Sequence, residues 1–272
     1  MLMLAALLGL FAGIGLNLLA DDLPTRTLDA PDKFTRPLAV PVCAYCGQPV
    51  ALWRWSGLAA RLAGRAPCPH CTAPGGGLPA RWRPALVEIA LAAAFALLWQ
   101  LAPAQFFSFA AALWMLLLIA VIDLEHRLIL YIVAFPAMAG AALLGAGAHG
   151  WRLTAQGGLA GFGIVAGMYA LGLAFAWAIH RVRGDALDEV AFGWGDVLLG
   201  AIIGLLNGWP AILFALGIAV LTGGAGGLIV LLAQIARRRH RWFTAMPYGP
   251  FLALGGLAVF LGGPPLMFWL LR

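Results

Sequence analysis

The chain has 272 residues and a net charge of +6, and it is 63% hydrophobic and only 10% charged, with a mean hydropathy of +0.93. A water-soluble domain needs far more polar surface than that to cover its exterior, so the composition excludes one and requires a bilayer. The cationic excess could suggest nucleic acid, but the placement of the cations along the chain excludes that reading too.

Apolar runs recur at roughly 2–20, 84–102, 105–123, 129–147, 157–180, 194–207, 209–234 and 248–270. Most approach the ~20 residues that a helix needs to cross the hydrocarbon core. The expected fold is therefore an all-α polytopic membrane protein of about eight transmembrane helices. Residues 1–20 carry no charged leading region, and no small-residue cleavage site precedes Asp21-Asp22. They read as a retained first helix rather than a removed signal peptide. The sixth run is short, and only the turn signal Asn207-Gly208-Trp209-Pro210 parts it from the seventh.

Residues 21–83 break the apolar pattern, with four prolines in 31–49 alone and all four cysteines. They read as a small inserted domain, too short for a large core and in need of a staple. The expected organisation is a first transmembrane helix at 1–20, a cytoplasmic four-cysteine zinc-binding domain at 21–83 and a seven-helix transmembrane domain at 84–272.

The cysteines form two C-x2-C pairs, Cys43-Ala-Tyr-Cys46 and Cys68-Pro-His-Cys71, with 21 residues between them. Each pair can present two thiolates from a tight turn, which fits a tetrahedral four-cysteine zinc site. Disulfides are the alternative, but thiols stay reduced on the cytoplasmic side. Four protein ligands leave no open position on the metal, so the zinc is expected to be structural.

The cations give the orientation. With eight spans and the insertion cytoplasmic, fifteen of the seventeen Lys and Arg residues fall inside, and only Arg152 and Arg272 fall outside. That is the positive-inside signature, with both termini outside. The basicity reports topology, and no nucleic-acid partner is expected.

Acids inside apolar runs are costly, so each needs an explanation. After the insertion there are three: Glu88, Asp123 and Asp196. Asp123 closes the third run and Asp196 opens the sixth in Gly193-Trp194-Gly195-Asp196, so both reach the cytoplasmic face although they lie 73 residues apart in sequence. Two neighbouring carboxylates cannot both ionise cheaply, so one keeps a proton while the other acts as a base. Gly193 and Gly195 are expected to let backbone approach a substrate strand. The bland alternative is a solvated acid at a helix end, or an acid that suits the helix dipole. Glu125 and His126 read as interfacial residues. Glu88 is as well explained by a cap or an inter-helix hydrogen bond as by a site role. The glycines from Gly157 to Gly167 and from Gly223 to Gly227 read as close helix packing.

Taken together, the Asp123 segment, Gly193-Trp194-Gly195-Asp196 and the cysteine pairs within eight spans resemble the bacterial prepilin peptidases, which are GxGD-type aspartyl proteases. Gly13-Ile-Gly-Leu-Asn17 with Leu23-Pro24 is similar to that family's first-helix exit. Leu86-Val87-Glu88 and Pro247-Tyr-Gly-Pro250-Phe-Leu are similar to the starts of its second and last helices. The resemblance implies an enzyme of the bacterial inner membrane that acts on prepilin or pseudopilin substrates of type IV pilus and type II secretion systems. It would cleave their leader and then methylate the new N-terminus with S-adenosylmethionine. By motif, Asp123 and Asp196 would be the catalytic pair, and Cys43, Cys46, Cys68 and Cys71 the zinc ligands. The chain departs from the pattern at Leu130-Tyr131, where many members have Pro-Asp, at Leu198, where they have lysine, and at Asp22, where they often have arginine. These positions bear on substrate contacts and on methylation. The competing readings are another GxGD intramembrane protease and a non-enzymatic assembly factor derived from a peptidase. A transporter would need an acid near the bilayer midplane.

Overall fold

The computed structural model describes residues 1–29, 55–62, 78–183, 193–236 and 247–270, and every regular element among them is helical. These are α1 (Leu2–Asp29), a short α2 (Gly57–Leu62), α3 (Leu78–Leu101), a 3-10 turn at Pro103–Gln105, α4 (Phe106–His126), α5 (Tyr131–His149), α6 (Trp151–Arg183), α7 (Trp194–Asn207), α8 (Ala211–Ala236) and α9 (Gly249–Leu270). Each of the eight expected apolar runs corresponds to one helix. By length and composition six can cross a membrane, with spans at Leu2–Pro24, Trp82–Leu101, Pro103–His126, Tyr131–His149, Trp151–Ala178 and Ala211–Ala236. The apolar stretches of the other two, Trp194–Asn207 and Gly249–Gly263, are shorter.

The breaks between helices follow from residues that cannot continue them. Gly150 adopts φ 85° between α5 and α6, and Gly208 adopts φ 69° after α7. Both values lie in the left-handed region, which glycine occupies without penalty. Three helices outrun their expected limits by six residues or more, among them α3, which begins at Leu78 before the run at 84. α1 continues past residue 20 to Asp29, and α6 begins at Trp151, six residues before the apolar run at 157. Helical hydrogen bonding does not stop where hydropathy falls. Thr154 in the first turn of α6 gives its hydroxyl proton to the Gly150 carbonyl at 3.0 Å.

The chain divides into two compact units, Met1–Trp114 and Met115–Arg272. In the first, α1 lies against α3 through missing side chains. A Cβ on Gly9 would strike the backbone of Leu91, and one on Gly13 would lie 2.7 Å from the Cα of Glu88. Such contacts let backbones approach where no hydrophobic driving force acts between helices in lipid. Trp114 donates its indole N–H to the Ala12 carbonyl at 2.9 Å, and Arg83 pairs with Asp21.

The second unit is organised around α7, which touches α5, α6, α8 and α9. Val197, Leu199, Ile202, Ile203 and Leu206 are all buried, as expected of a helix that is apolar all round. Its 14 residues extend only about 21 Å at 1.5 Å per residue, less than a hydrocarbon core of about 30 Å. The α6–α7 contact uses Gly157 and Gly161 against Gly204 and Gly200, as the glycine run predicts. Gly163 and Gly167 meet nothing within 4 Å, so the packing explanation covers only the first half of that run.

Candidate active site

Asp123 lies near the end of α4, where the chain must turn. Arg127 turns it by adopting φ 55°, uncommon for a residue with a side chain, while its N–H donates to the Asp123 carbonyl at 2.8 Å. Leu128 and Ile129 then lead to α5. Ile129 rests on Gly195, where a Cβ would sit only 2.7 Å from the Ile129 Cβ. The glycine at 195 thus lets the α4–α5 turn settle on the start of α7. This differs from the expectation that Gly195 makes room for a substrate strand, because Ile129 fills that space. Gly193 remains exposed.

Asp196 is the third residue of α7, and its Oδ2 accepts the Gly193 N–H at 2.9 Å. This is the reciprocal half of a capping box, so the acid holds its own helix start. The Asp123 Oδ2 accepts the Gly249 N–H at 3.0 Å from the first residue of α9. Both aspartates are buried, at 6% and 9% exposure, and Asp196 lies close enough to act electrostatically on Asp123. The structure therefore brings together the two acids that the sequence singled out. Each has one oxygen tied to a backbone donor, and among the described residues no side chain pairs with the other oxygen. Two carboxylates that feel one another's charge do not both ionise cheaply.

Two neighbours have no role in the sequence reading beyond the Pro247-Tyr-Gly-Pro250 resemblance. One is Gly249, where a Cβ would lie 2.5 Å from the Asp123 Oδ2. The other is Tyr248, on which Asp196 acts electrostatically. A signal for them exists in the order of spans, since the eighth starts at the face where the third ends and the sixth begins.

The remaining candidates fall elsewhere. Glu125 and His126 are exposed, in keeping with interfacial residues. Leu198 is buried within α7 and Leu130 caps α5, while Tyr131 is exposed and stacks on Phe135. Glu88 belongs to the first unit and is fully buried. Its carboxylate accepts Ser56 Oγ at 2.6 Å, the Gly57 N–H at 2.8 Å, the Leu58 N–H at 3.1 Å and Asn17 Nδ2 at 3.4 Å. It is the cap of α2. Cys43, Cys46, Cys68 and Cys71 lie outside the described residues. Among the described residues no group of three or more His, Cys, Asp or Glu side chains could hold a metal.

Residues 110–228, which include both aspartates, match the type IV leader peptidase family. A prepilin leader peptidase/N-methyltransferase of Burkholderia pseudomallei is 31% identical over 84% of this chain and 69% of its own length. The chain belongs to this family. A relative of the same description from Pseudomonas aeruginosa is 29% identical over 94% of this chain and 89% of its own. One from Pseudomonas putida is 25% identical over 96% and 90%. No solved structure matches the chain.

Proposed function

We propose that this multi-pass membrane protein is an aspartyl endopeptidase that cleaves the leader of prepilin-like proteins at the cytoplasmic face and N-methylates the new terminus. Its membership of the leader peptidase/N-methyltransferase family supports the activity. The observation that carries the mechanism is that Asp123 and Asp196 are both buried in the second unit, with Asp123 within the electrostatic reach of Asp196.

In the proposed reaction the ionised aspartate takes a proton from water, whose oxygen bonds to the scissile carbonyl carbon. The protonated aspartate gives its proton to the carbonyl oxygen. Collapse of the tetrahedral intermediate returns that proton and breaks the C–N bond, and the leaving amine takes the proton first drawn from water. The Gly193 and Gly249 N–H groups hold one oxygen of each acid, which fixes orientation before substrate arrives. The enzyme needs no covalent intermediate.

Two groups complete the proposal. The C-x2-C pairs support a structural zinc held by Cys43, Cys46, Cys68 and Cys71, within a cytoplasmic insertion that precedes the seven-helix domain at 84–272. The methyl donor is S-adenosylmethionine, which supplies an electrophilic methyl group to the freed amine. The cation distribution supports an inner-membrane protein with both termini outside. The test is purified full-length protein with a labelled prepilin, with and without S-adenosylmethionine. Cleavage should need Asp123 and Asp196, and N-terminal methylation should need the donor. Undiminished cleavage by folded Asp123→Asn or Asp196→Asn protein would leave the assembly-factor reading in place.

A further inference from the structure

The dipeptide Tyr248-Gly249 touches Asp123 through Gly249 and feels the charge of Asp196 at Tyr248. The Gly249 N–H is bonded to Asp123 Oδ2 at 3.0 Å, which fixes the backbone beside residue 248. The side chain of Tyr248 is partly exposed, and its hydroxyl is in the electrostatic field of Asp196. The ring is seated on α8 at Gly223, which is itself buried. A Cβ there would lie 2.7 Å from the ring Cε2 and 3.4 Å from the hydroxyl oxygen. Phe251 stands beside it, with ring centroids 6.1 Å apart. The phenol is thus held by a glycine slot, a neighbouring ring and a backbone whose next residue is bonded to Asp123. A phenol keeps its proton at neutral pH and can donate it in a hydrogen bond. Such a donor is most useful where charge develops on a reacting oxygen.

We infer that Tyr248 is a further catalytic residue, whose hydroxyl donates a hydrogen bond to the carbonyl oxygen of the scissile peptide as the tetrahedral intermediate forms. The inference rests on the Asp123/Asp196 reading. No additional proton changes hands: the aspartates carry out every transfer, and the phenol stabilises the charge between them. Gly223 serves the same purpose indirectly, because its missing side chain sets the depth of the ring.

The experiment compares Tyr248→Phe with the parent in steady-state cleavage of a prepilin peptide. The variant keeps the ring and its packing and loses only the hydroxyl. The expected result is a kcat lower by on the order of 100-fold, as when one oxyanion donor is removed, with KM and the thermal midpoint almost unchanged. Restoring a hydroxyl with 3-fluorotyrosine at position 248 should recover most of the rate. A kcat equal to the parent's, or a loss confined to KM, would overturn the inference. Gly223→Ala should slow the parent but add little to Tyr248→Phe, and equal losses in both backgrounds would sink the assigned role of the slot. Asp196→Asn, run alongside, separates the two levels of the argument. If it is inactive while Tyr248→Phe is normal, only the phenol's role fails. If Asp196→Asn is active, the dyad fails with it.

Discussion

Glu88 in the first unit and the Asp123/Asp196 pair in the second are all buried acids in a chain that can ill accommodate them, and their surroundings differ in kind. Around Glu88 four donors from Asn17, Ser56, Gly57 and Leu58 cover both carboxylate oxygens. Ser56 also accepts the Ala59 N–H at 3.1 Å, so a whole helix start is satisfied by one acid and its hydroxyl partner. The two aspartates instead each take one backbone donor, and Asp123 feels the charge of Asp196. An acid saturated with donors has no capacity left for a substrate or a water. An acid held by one oxygen beside a second acid retains that capacity and has reason to exchange a proton. Burial by itself does not separate structure from chemistry, whereas the number of donors already committed does.

The strongest way to break this comparison is to remove the proton-transfer partners. Asp123→Asn and Asp196→Asn should each lower leader cleavage by several orders of magnitude, and the double variant should cost little more. Residues that act as a unit are grossly non-additive. Asp185→Asn and Asp188→Asn, outside both the described residues and the motif, serve as controls and should be mild. Methyl transfer to an already cleaved pilin involves no carbonyl hydrolysis, so it should survive Asp123→Asn. Additive losses in the double variant would mean that the acids act separately.

A smaller effect is expected at Gly249, where the dyad is held rather than formed. An added Cβ would lie 2.5 Å from the Asp123 Oδ2 and 3.0 Å from its Cγ, so Gly249→Ala must move the carboxylate or the start of α9. Displacements of about 1 Å at a reacting group can cost on the order of 100-fold in rate. Cleavage should fall by that amount in protein that remains folded by its thermal midpoint. An unchanged rate would show that Asp123 does not depend on its tether.

Much of this arrangement was legible in the sequence. Apolar run length located eight helices, and span parity sent Asp123 and Asp196 to one face. Periodicity could not give the partners of those acids, because Gly249 reaches Asp123 across 126 sequence positions through a backbone N–H that no side-chain pattern records. Nor could it separate Glu88 from the aspartates. The distinguishing donors include the start of α2, a six-residue helix too short to leave a periodic signature. Gly195 does permit a close approach, but its neighbour is the Ile129 side chain rather than a substrate strand. Only packing identifies Ile129.

Metal removal should act more gently on cleavage, since the proposed chemistry does not use the zinc. Purified protein should carry about one zinc per chain, as one four-thiolate site requires, and Cys43→Ser or Cys71→Ser should release it. Structural zinc contributes to folding outright, so the insertion should become protease-sensitive while cleavage falls only partly. Metal analysis that finds no zinc in reduced, active protein would remove the site.

The smallest effect on catalysis, and the sharpest test of the contrast between the acids, comes from Glu88→Gln. The amide keeps the shape of the carboxylate and one acceptor oxygen, but it turns an NH2 group toward donors. Of the pairs now on the two oxygens, Gly57 N–H with Asn17 Nδ2 and Ser56 Oγ with Leu58 N–H, one loses its acceptor. Ser56 can rotate its hydroxyl, whereas a backbone N–H cannot, so one backbone donor, Gly57 N–H or the half-buried Leu58 N–H, is left unmatched. A buried group left in that state costs about 1–3 kcal/mol. The variant should therefore unfold at a lower temperature and be cut sooner by protease near α2, while the folded fraction cleaves prepilin at close to the parent's rate, because the carboxylate is committed to the start of α2. The opposite pattern, full stability with cleavage lost as completely as in Asp196→Asn, would place Glu88 among the catalytic acids and end the distinction drawn from its donors.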